Sequence, residues 1–424
     1  MKKSLLAVAA MGAFASAAQA QSSVTVYGIL DMGYIGGNSR ASSSAITTNG
    51  GNTRITTNKI GQSAETTSRL GFKGTEDMGG GVSAFFTTEF QLYPNDQTLS
   101  GNATAKSAVD ANTNSGGLLN RQTFVGLKKN GLGQTALGLQ YTPVFNAGAA
   151  TNPNQQNNMI GDLVYAGSPE ISQYAGQNAG AISNSQTNRT ANTLSVQSDK
   201  FAGFSANAMA TLSNTNTSSV VTSNGVSGGG NNNASGWGLG ADYTYNKFYV
   251  TAAYVSLKQL TTATNNGVTT VAGQATPAEW KGAQPANGNA GSAVNTQDNQ
   301  FIAGATYDFG ILKAYAQYIN RKVTATANTG YYLKRSAEQI GVRSYITPTI
   351  EAWASASLGR YSAFGVNSPT ANMNAWQLGS NYYLSKRTNL YAIYGQQIIS
   401  TTAVGTATGS ASANNYAIGV RHTF

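Results

Sequence analysis

The chain has 424 residues, no cysteine, one histidine and a formal charge of +10, from 26 Lys and Arg against 16 Asp and Glu. The missing cysteine excludes disulfides, thiol nucleophiles and thiolate metal sites, and a single histidine leaves little material for a hydrolase triad or a metal cluster. Charged residues make up 10% of the chain, well below the roughly 25% of a soluble domain, yet 22 Tyr and 14 Phe set it apart from a disordered chain.

Lys2 and Lys3 open a short basic start, Leu5 to Ala18 is almost wholly apolar or small, and Ala18-Gln19-Ala20 is an A-x-A site. This order predicts a secretory signal peptide over 1–20, cleaved after Ala20 to leave Gln21 first, and one domain over 21–424. The charge then falls to +8, because Lys2 and Lys3 leave with the leader. No later stretch approaches the ~20 consecutive apolar residues of a membrane helix. A membrane span beyond the leader must therefore be a closed barrel, the other structure that satisfies its own backbone in lipid. In an exported chain the basic balance points to small anions rather than nucleic acid.

Along the chain the informative signal has period two. In Arg69-Leu70-Gly71-Phe72-Lys73 apolar residues take even positions and cations odd ones. Val82, Ala84, Phe86, Phe90 and Leu92 share one face of the next segment, with Glu89 and Gln91 on the other. Trp376, Leu378, Tyr382 and Leu384 alternate with Gln377, Gly379 and Asn381. A polar residue at every second position faces water, and its neighbours face something apolar.

About sixteen such segments follow, over 23–36, 62–76, 81–93, 118–129, 132–142, 189–199, 202–213, 235–245, 247–260, 297–308, 311–324, 331–345, 349–362, 372–385, 388–400 and 412–424. Seven short connections, from Glu76–Gly80 to Ser385–Arg387, alternate with long ones rich in Asn, Gly, Ser and Thr, notably 37–61, 94–117, 143–188, 214–234 and 261–296. Tight periplasmic turns and longer outer loops are the pattern of an outer-membrane barrel. The expected fold is all-β, a sixteen-stranded antiparallel transmembrane β-barrel with both termini on the periplasmic side. An exported soluble all-β protein, such as an adhesin, fits the composition equally well. It explains the consistent apolar face less well.

Parity selects the candidate site residues. Arg69 and Lys73 lie opposite Leu70 and Phe72, Arg121 opposite Phe124, and Arg189 opposite Leu194 and Val196. A cation facing mid-bilayer lipid costs ~2–4 kcal/mol, so these side chains point into a water-filled lumen. Asp162 and Glu170 are the only acids of 143–188 and are expected to oppose the arginines across that lumen. His422, the only histidine, shares the lipid-side parity of Tyr416, Ile418, Val420 and Phe424. Gly-Gly-Gly at 79–81 and 228–230 lacks a following Gly-Lys-Ser/Thr, so neither is a phosphate cradle.

Several blocks resemble the trimeric Gram-negative porins of the beta-proteobacterial branch: SVTVYGILD at 23–31, SRLGFKGTEDMGGG at 68–81, NRQTFVGL at 120–127, LGLQYTP at 137–143, YYLSKRTNLYAIYG at 382–395 and NYAIGVRHTF at 415–424. The resemblance implies a sixteen-stranded barrel in a homotrimer, with the third outer loop folded into the lumen. It implies that positions matching Arg69, Arg121 and Arg189 form a basic cluster at the constriction. For Arg189 a solvated wall charge is an equal reading. A fourth arginine usual in the family is Gln140 here. The resemblance also makes Tyr416, Ile418, Val420, His422 and terminal Phe424 the sorting signal read by the barrel-assembly machinery.

The function expected is a passive outer-membrane channel for ions and small hydrophilic solutes, anion-preferring, with no cofactor and no chemistry. A substrate-specific channel of the same fold and a non-channel surface protein are the alternatives.

Overall fold

The computed structural model describes residues 23–43, 51–95, 99, 118–165, 186–221, 227–265, 268–270, 296–325, 332–364, 370–404 and 407–424. The leader at 1–20 and Glu170 lie outside the described residues.

The strands, in chain order, are β1 Ser23–Ser43, β2 Gly51–Gln62, β3 Arg69–Gly79, β4 Val82–Gln91, β5 Leu119–Lys129, β6 Gly133–Tyr141, β7 Arg189–Ser198, β8 Phe204–Val221 and β9 Ser227–Tyr245. They continue as β10 Phe248–Asn265, β11 Val268–Thr270, β12 Thr296–Asp308, β13 Lys313–Ala325, β14 Tyr332–Thr347, β15 Ile350–Phe364, β16 Thr370–Tyr383, β17 Thr388–Val404 and β18 Ala407–Thr423. A helix, α1, spans Pro143–Thr151 after β6. All eighteen strands belong to one sheet, closed where β18 pairs antiparallel with β1 from Ile29↔Thr423 to Ser43↔Gly409.

The barrel has sixteen staves. β2 and β3 are two halves of one stave, because β3 pairs with Ser23–Ile29 and β2 with Met32–Ser43 of the same strand β1. β11 is a three-residue arm on β10. The second stave breaks at 63–68 because Asp31 draws the chain off the wall: its Oδ2 accepts from Glu65 N at 2.9 Å and Thr66 N at 2.6 Å.

Period two is realised across the wall. Val125, Leu239, Ile340, Leu358, Leu378 and Val420 are exposed on the outside, while Gln300, Gln317, Gln339, Gln377 and Gln397 are buried on the inside. Aromatic pairs band the outer face. Phe204–Tyr243 at 4.2 Å and Tyr307–Phe309 at 4.7 Å lie beside the short turns, with Trp237–Tyr254 at 5.4 Å and Trp376–Tyr394 at 5.2 Å further along the strands. Such amphipathic rings suit the two membrane interfaces.

The seven short turns fall where expected. The long connections are shorter than the sequence suggests. Pairing continues past 36 to Ser43, and β8 and β9 pair as far as Val221↔Ser227, through most of the 214–234 stretch. The residue types of these stretches carry no apolar alternation, although the backbone still pairs. Asn, Ser, Thr and Gly then read as loop.

Candidate channel constriction

The 142–165 segment runs along the inside of the wall. Thr142 caps α1, its Oγ1 accepting from Phe145 N at 3.1 Å, and Pro143 supplies a fixed φ where no N–H is needed. From the helix onward, side chains on successive staves hold the chain. Gln317 Nε2 donates to Gly148 O at 2.6 Å. Arg343 Nη1 donates to Pro153 O at 2.7 Å. Asn157 and Gln377 exchange bonds of 2.6 and 3.0 Å. Asn158 Nδ2 reaches Ser63 O at 2.7 Å, and the returning arm is met by Ser357, whose Oγ accepts from Leu163 N at 3.3 Å. Glycines open room for this approach: a Cβ at Gly341 would meet Pro153, and one at Gly395 would meet the Ile160 carbonyl.

The loop thus lies on the wall built from β12 to β18, and the opposite wall carries the arginines. Glu89 of β4 is 3% exposed and gathers the groups around it. Arg121 Nε donates to its Oε1 at 2.7 Å, Arg69 Nη1 lies 3.6 Å from the same oxygen, and Tyr27 Oη donates to Oε2 at 3.1 Å. Arg121 Nη2 donates to Tyr141 Oη at 3.0 Å, and Arg189 Nη1 donates to the Arg121 carbonyl at 3.0 Å. The Arg189 guanidinium is 5.6 Å from the centre of the Tyr141 ring. Tyr141 stacks on Phe145 at 4.1 Å, and Phe145 meets Tyr165 edge-on at 6.4 Å, so the cluster runs into the base of the loop. Lys73 sits four residues further along β3 from Arg69, with its ammonium 5.5 Å from the centre of the Tyr27 ring.

Elsewhere on the wall, among the described residues, three ion pairs are matched one to one: Arg321 with Asp298, Arg343 with Glu351 and Arg421 with Glu65. At Glu89 two arginines share one acid, and Arg189 brings a third guanidinium to the cluster through the Arg121 carbonyl.

Two expectations need correction. Asp162 does not face the arginines. It is 1% exposed beneath the loop, accepting from Asn152 Nδ2 at 2.7 Å, Val164 N at 3.0 Å and Tyr165 N at 2.8 Å. Burial pushes its carboxyl above the usual carboxylate range, against the pull of those donors. Its short side chain serves the turn of the returning arm, a role that composition cannot reveal. Phe124 also faces the lumen, with its ring 6.3 Å from Phe85, while Val125 and Leu127 take the outside. Arg121 points inward because the register between β4 and β5 shifts at Glu89/Phe90. That β-bulge resets parity between 121 and 124. A second shift, between Gly138 and Gln140, separates Arg189 from the alternation of Leu194 and Val196. Gln140 bridges it, donating to Ala136 O at 3.1 Å and Thr193 O at 2.9 Å and accepting from Ser195 Oγ at 2.6 Å.

At the closing seam Phe424 and Gly28 exchange backbone bonds of 3.0 and 3.1 Å, and the Phe424 ring lies over Gly28, which is why that position has no side chain. Ile418 and Val420 are exposed outside, Tyr416 packs 6.2 Å from Tyr34, and His422 Nδ1 lies 2.9 Å from Thr388 Oγ1.

The family profile described as Gram-negative porin matches residues 7–403. The chain is a Gram-negative porin. The porin is 26% identical, over the full length of both chains, to an outer membrane porin protein of Bordetella pertussis. It is 41% identical over 117 residues to outer membrane porin protein 32 of Delftia acidovorans, a stretch covering 27% of this chain and 30% of that one. In structure it is similar to the anion-selective porin from Comamonas acidovorans, with a TM-score of 0.56 and 21% identity over 95% of this chain and 100% of that one. OmpT of Vibrio cholerae gives a TM-score of 0.56 at 14% identity over 95% and 98%. These likenesses are of fold. The porin is an outer-membrane diffusion channel.

Proposed function

We propose that the porin prefers small anions and that Arg69, Arg121 and Arg189 set this preference at the narrow part of the lumen. The observation that carries the reading is the imbalance around Glu89, whose one carboxylate takes Arg69 and Arg121 while Arg189 joins the cluster through the Arg121 carbonyl. One unit charge ~6 Å from a passing ion contributes about 0.7 kcal/mol in a water-like dielectric, so a net charge of two contributes about 1.4 kcal/mol, or a factor of ~10 before screening. Lys73 adds a further charge on the periplasmic side. The similar protein from Comamonas acidovorans is named an anion-selective porin, which agrees with this reading. Passage is passive, since no residue in the scheme forms or breaks a bond.

The zero-current potential of reconstituted channels in a dilute KCl gradient tests it. The expected sign is that of chloride permeating faster than potassium, and a cation-selective channel would overturn the assignment.

The same reading places the porin in a homotrimer, as in an OmpT structure described as the trimer form. Its outer face meets lipid, and its C-terminal strand is presented to the barrel-assembly machinery. Export removes residues 1–20. The intact mass of protein extracted from the membrane should correspond to a chain starting at Gln21, and a retained Met1 would refute the processing step.

A further inference from the structure

Arg335 differs from the other inward-facing arginines of its wall. It is 3% exposed, none of its three guanidinium nitrogens makes a well-formed hydrogen bond among the described residues, and the groups that act on it are the Tyr361 hydroxyl and, at longer range, Asp162. Its cross-strand neighbours are Arg321 on one side and Tyr361 on the other. Arg321 brings a second positive charge. Tyr361 offers a ring, 5.6 Å away at its centre, and a neutral hydroxyl.

The acids nearby are already committed. Asp298 accepts from Arg321 Nε at 3.1 Å, from Arg321 Nη2, and from Gln300 Nε2 at 3.0 Å. Asp162 spends its oxygens on Asn152, Val164 and Tyr165, and Glu351 on Arg343, Asn381 and Tyr383. A guanidinium cannot shed its proton to escape burial, and an uncompensated buried charge is among the costliest arrangements a protein holds. Further along the inner face of the same strand, the Gln339 amide is 1% exposed and sits against the Asp162 carboxylate.

We propose that Arg335 holds a resident small anion, a halide or the carboxylate of a small solute, between β14 and the returning arm of the loop. The site is separate from the Glu89 cluster, which lies on the opposite wall. It does not depend on the channel's selectivity: a resident ion at Arg335 is compatible with either sign of permeation. The ion supplies the negative charge that the wall lacks there and keeps Arg321 and Arg335 side by side. Arg321 keeps its own carboxylate, so the ion belongs to Arg335.

Crystals of the full mature porin soaked in sodium bromide, with diffraction recorded at the bromine edge, test this directly. The expected result is an anomalous peak in contact with the Arg335 guanidinium, lost in Arg335→Gln. A carboxylate solute in place of halide would appear as planar density that bromide does not displace, and this also supports the site. Wild-type crystals with neither bromide nor a carboxylate at Arg335 would overturn the proposal. So would a bromide peak that appears only in Glu170→Gln, since the chain's own acid would then be the occupant. The wild-type crystal decides even if the Arg335 variant fails to fold.

Discussion

Arg121 Nε lies 2.7 Å from Glu89 Oε1, and Arg69 Nη1 lies 3.6 Å from that same oxygen. One carboxylate therefore stands between two guanidiniums that would otherwise repel, and it orients both while cancelling part of their field. Replacing Glu89 by Gln keeps the shape and removes the charge. The expected outcome is a stronger anion preference, by roughly 3-fold in the permeability ratio for one unit charge ~6 Å from the ion path. Zero-current potentials of Glu89→Gln and wild type in the same dilute gradient check it. A shift toward cations would show that Glu89 matters for arginine placement more than for charge.

Arg69→Ser and Arg121→Ser should each move the potential toward cations by a similar factor of about 3 in dilute salt. The Debye length falls from ~10 Å at 0.1 M to ~3 Å at 1 M, so the difference should shrink in concentrated KCl. Arg121→Ser should have the larger effect, because the Arg121 guanidinium also holds the Tyr141 hydroxyl, whereas the carbonyl that receives Arg189 stays in the variant. Unchanged potentials at low salt would remove both residues from the filter.

Much of this arrangement was legible in the sequence, and the gaps have physical causes. Leu70 against Arg69 and Leu378 against Gln377 announce a wall with water on one side and lipid on the other. Short turns such as the one between β4's start and Gly79 are marked by their glycines, three of which adopt positive φ at 79–81. The cost of a charge in lipid turns Arg121 inward as expected, but parity sets Phe124 opposite it, and the bulge at Glu89/Phe90 that brings both inside has no signature in residue type. Asp162 gives no sign of its place, because a buried carboxylate satisfied by backbone N–H groups looks, in sequence, like any loop acid. In sequence nothing marks Gln317, and Gln377 reads only as water-facing. Their partners lie 169 and 220 residues away in the chain, beyond any local pattern.

Gly395 offers a test of the loop's seat. A side chain there would collide with the Ile160 carbonyl, and overpacking of this kind costs about 1–3 kcal/mol. Gly395→Val is expected to leave the barrel heat-modifiable while pushing the loop toward the arginine wall, which narrows the bore. Single-channel conductance should fall in concentrated KCl, where charge is screened. Wild-type conductance would show that the loop yields without entering the path.

Deleting Phe424 removes the two backbone bonds with Gly28 that finish the β1–β18 seam and uncovers the ring's seat on Gly28. An open edge in lipid leaves polar groups without partners. The expected result is reduced folded barrel in the outer membrane with export intact, read as heat-modifiable protein on a gel. Gly28→Val should reproduce the defect, because its side chain would displace the Phe424 ring. Wild-type levels in both variants would deny the seam a decisive part in assembly.

The inner wall assigns its two tasks to different stretches of chain. Arg69, Glu89, Arg121 and Arg189 come from β3 to β7, whereas Gln317, Arg343, Gln377 and Gly395 of β13 to β17 seat the loop. Mutation can therefore retune which charge crosses without resizing the opening, or resize the opening without retuning charge. A bacterium facing a bulky toxic solute could exclude it through the second group alone and still keep its supply of small anionic nutrients.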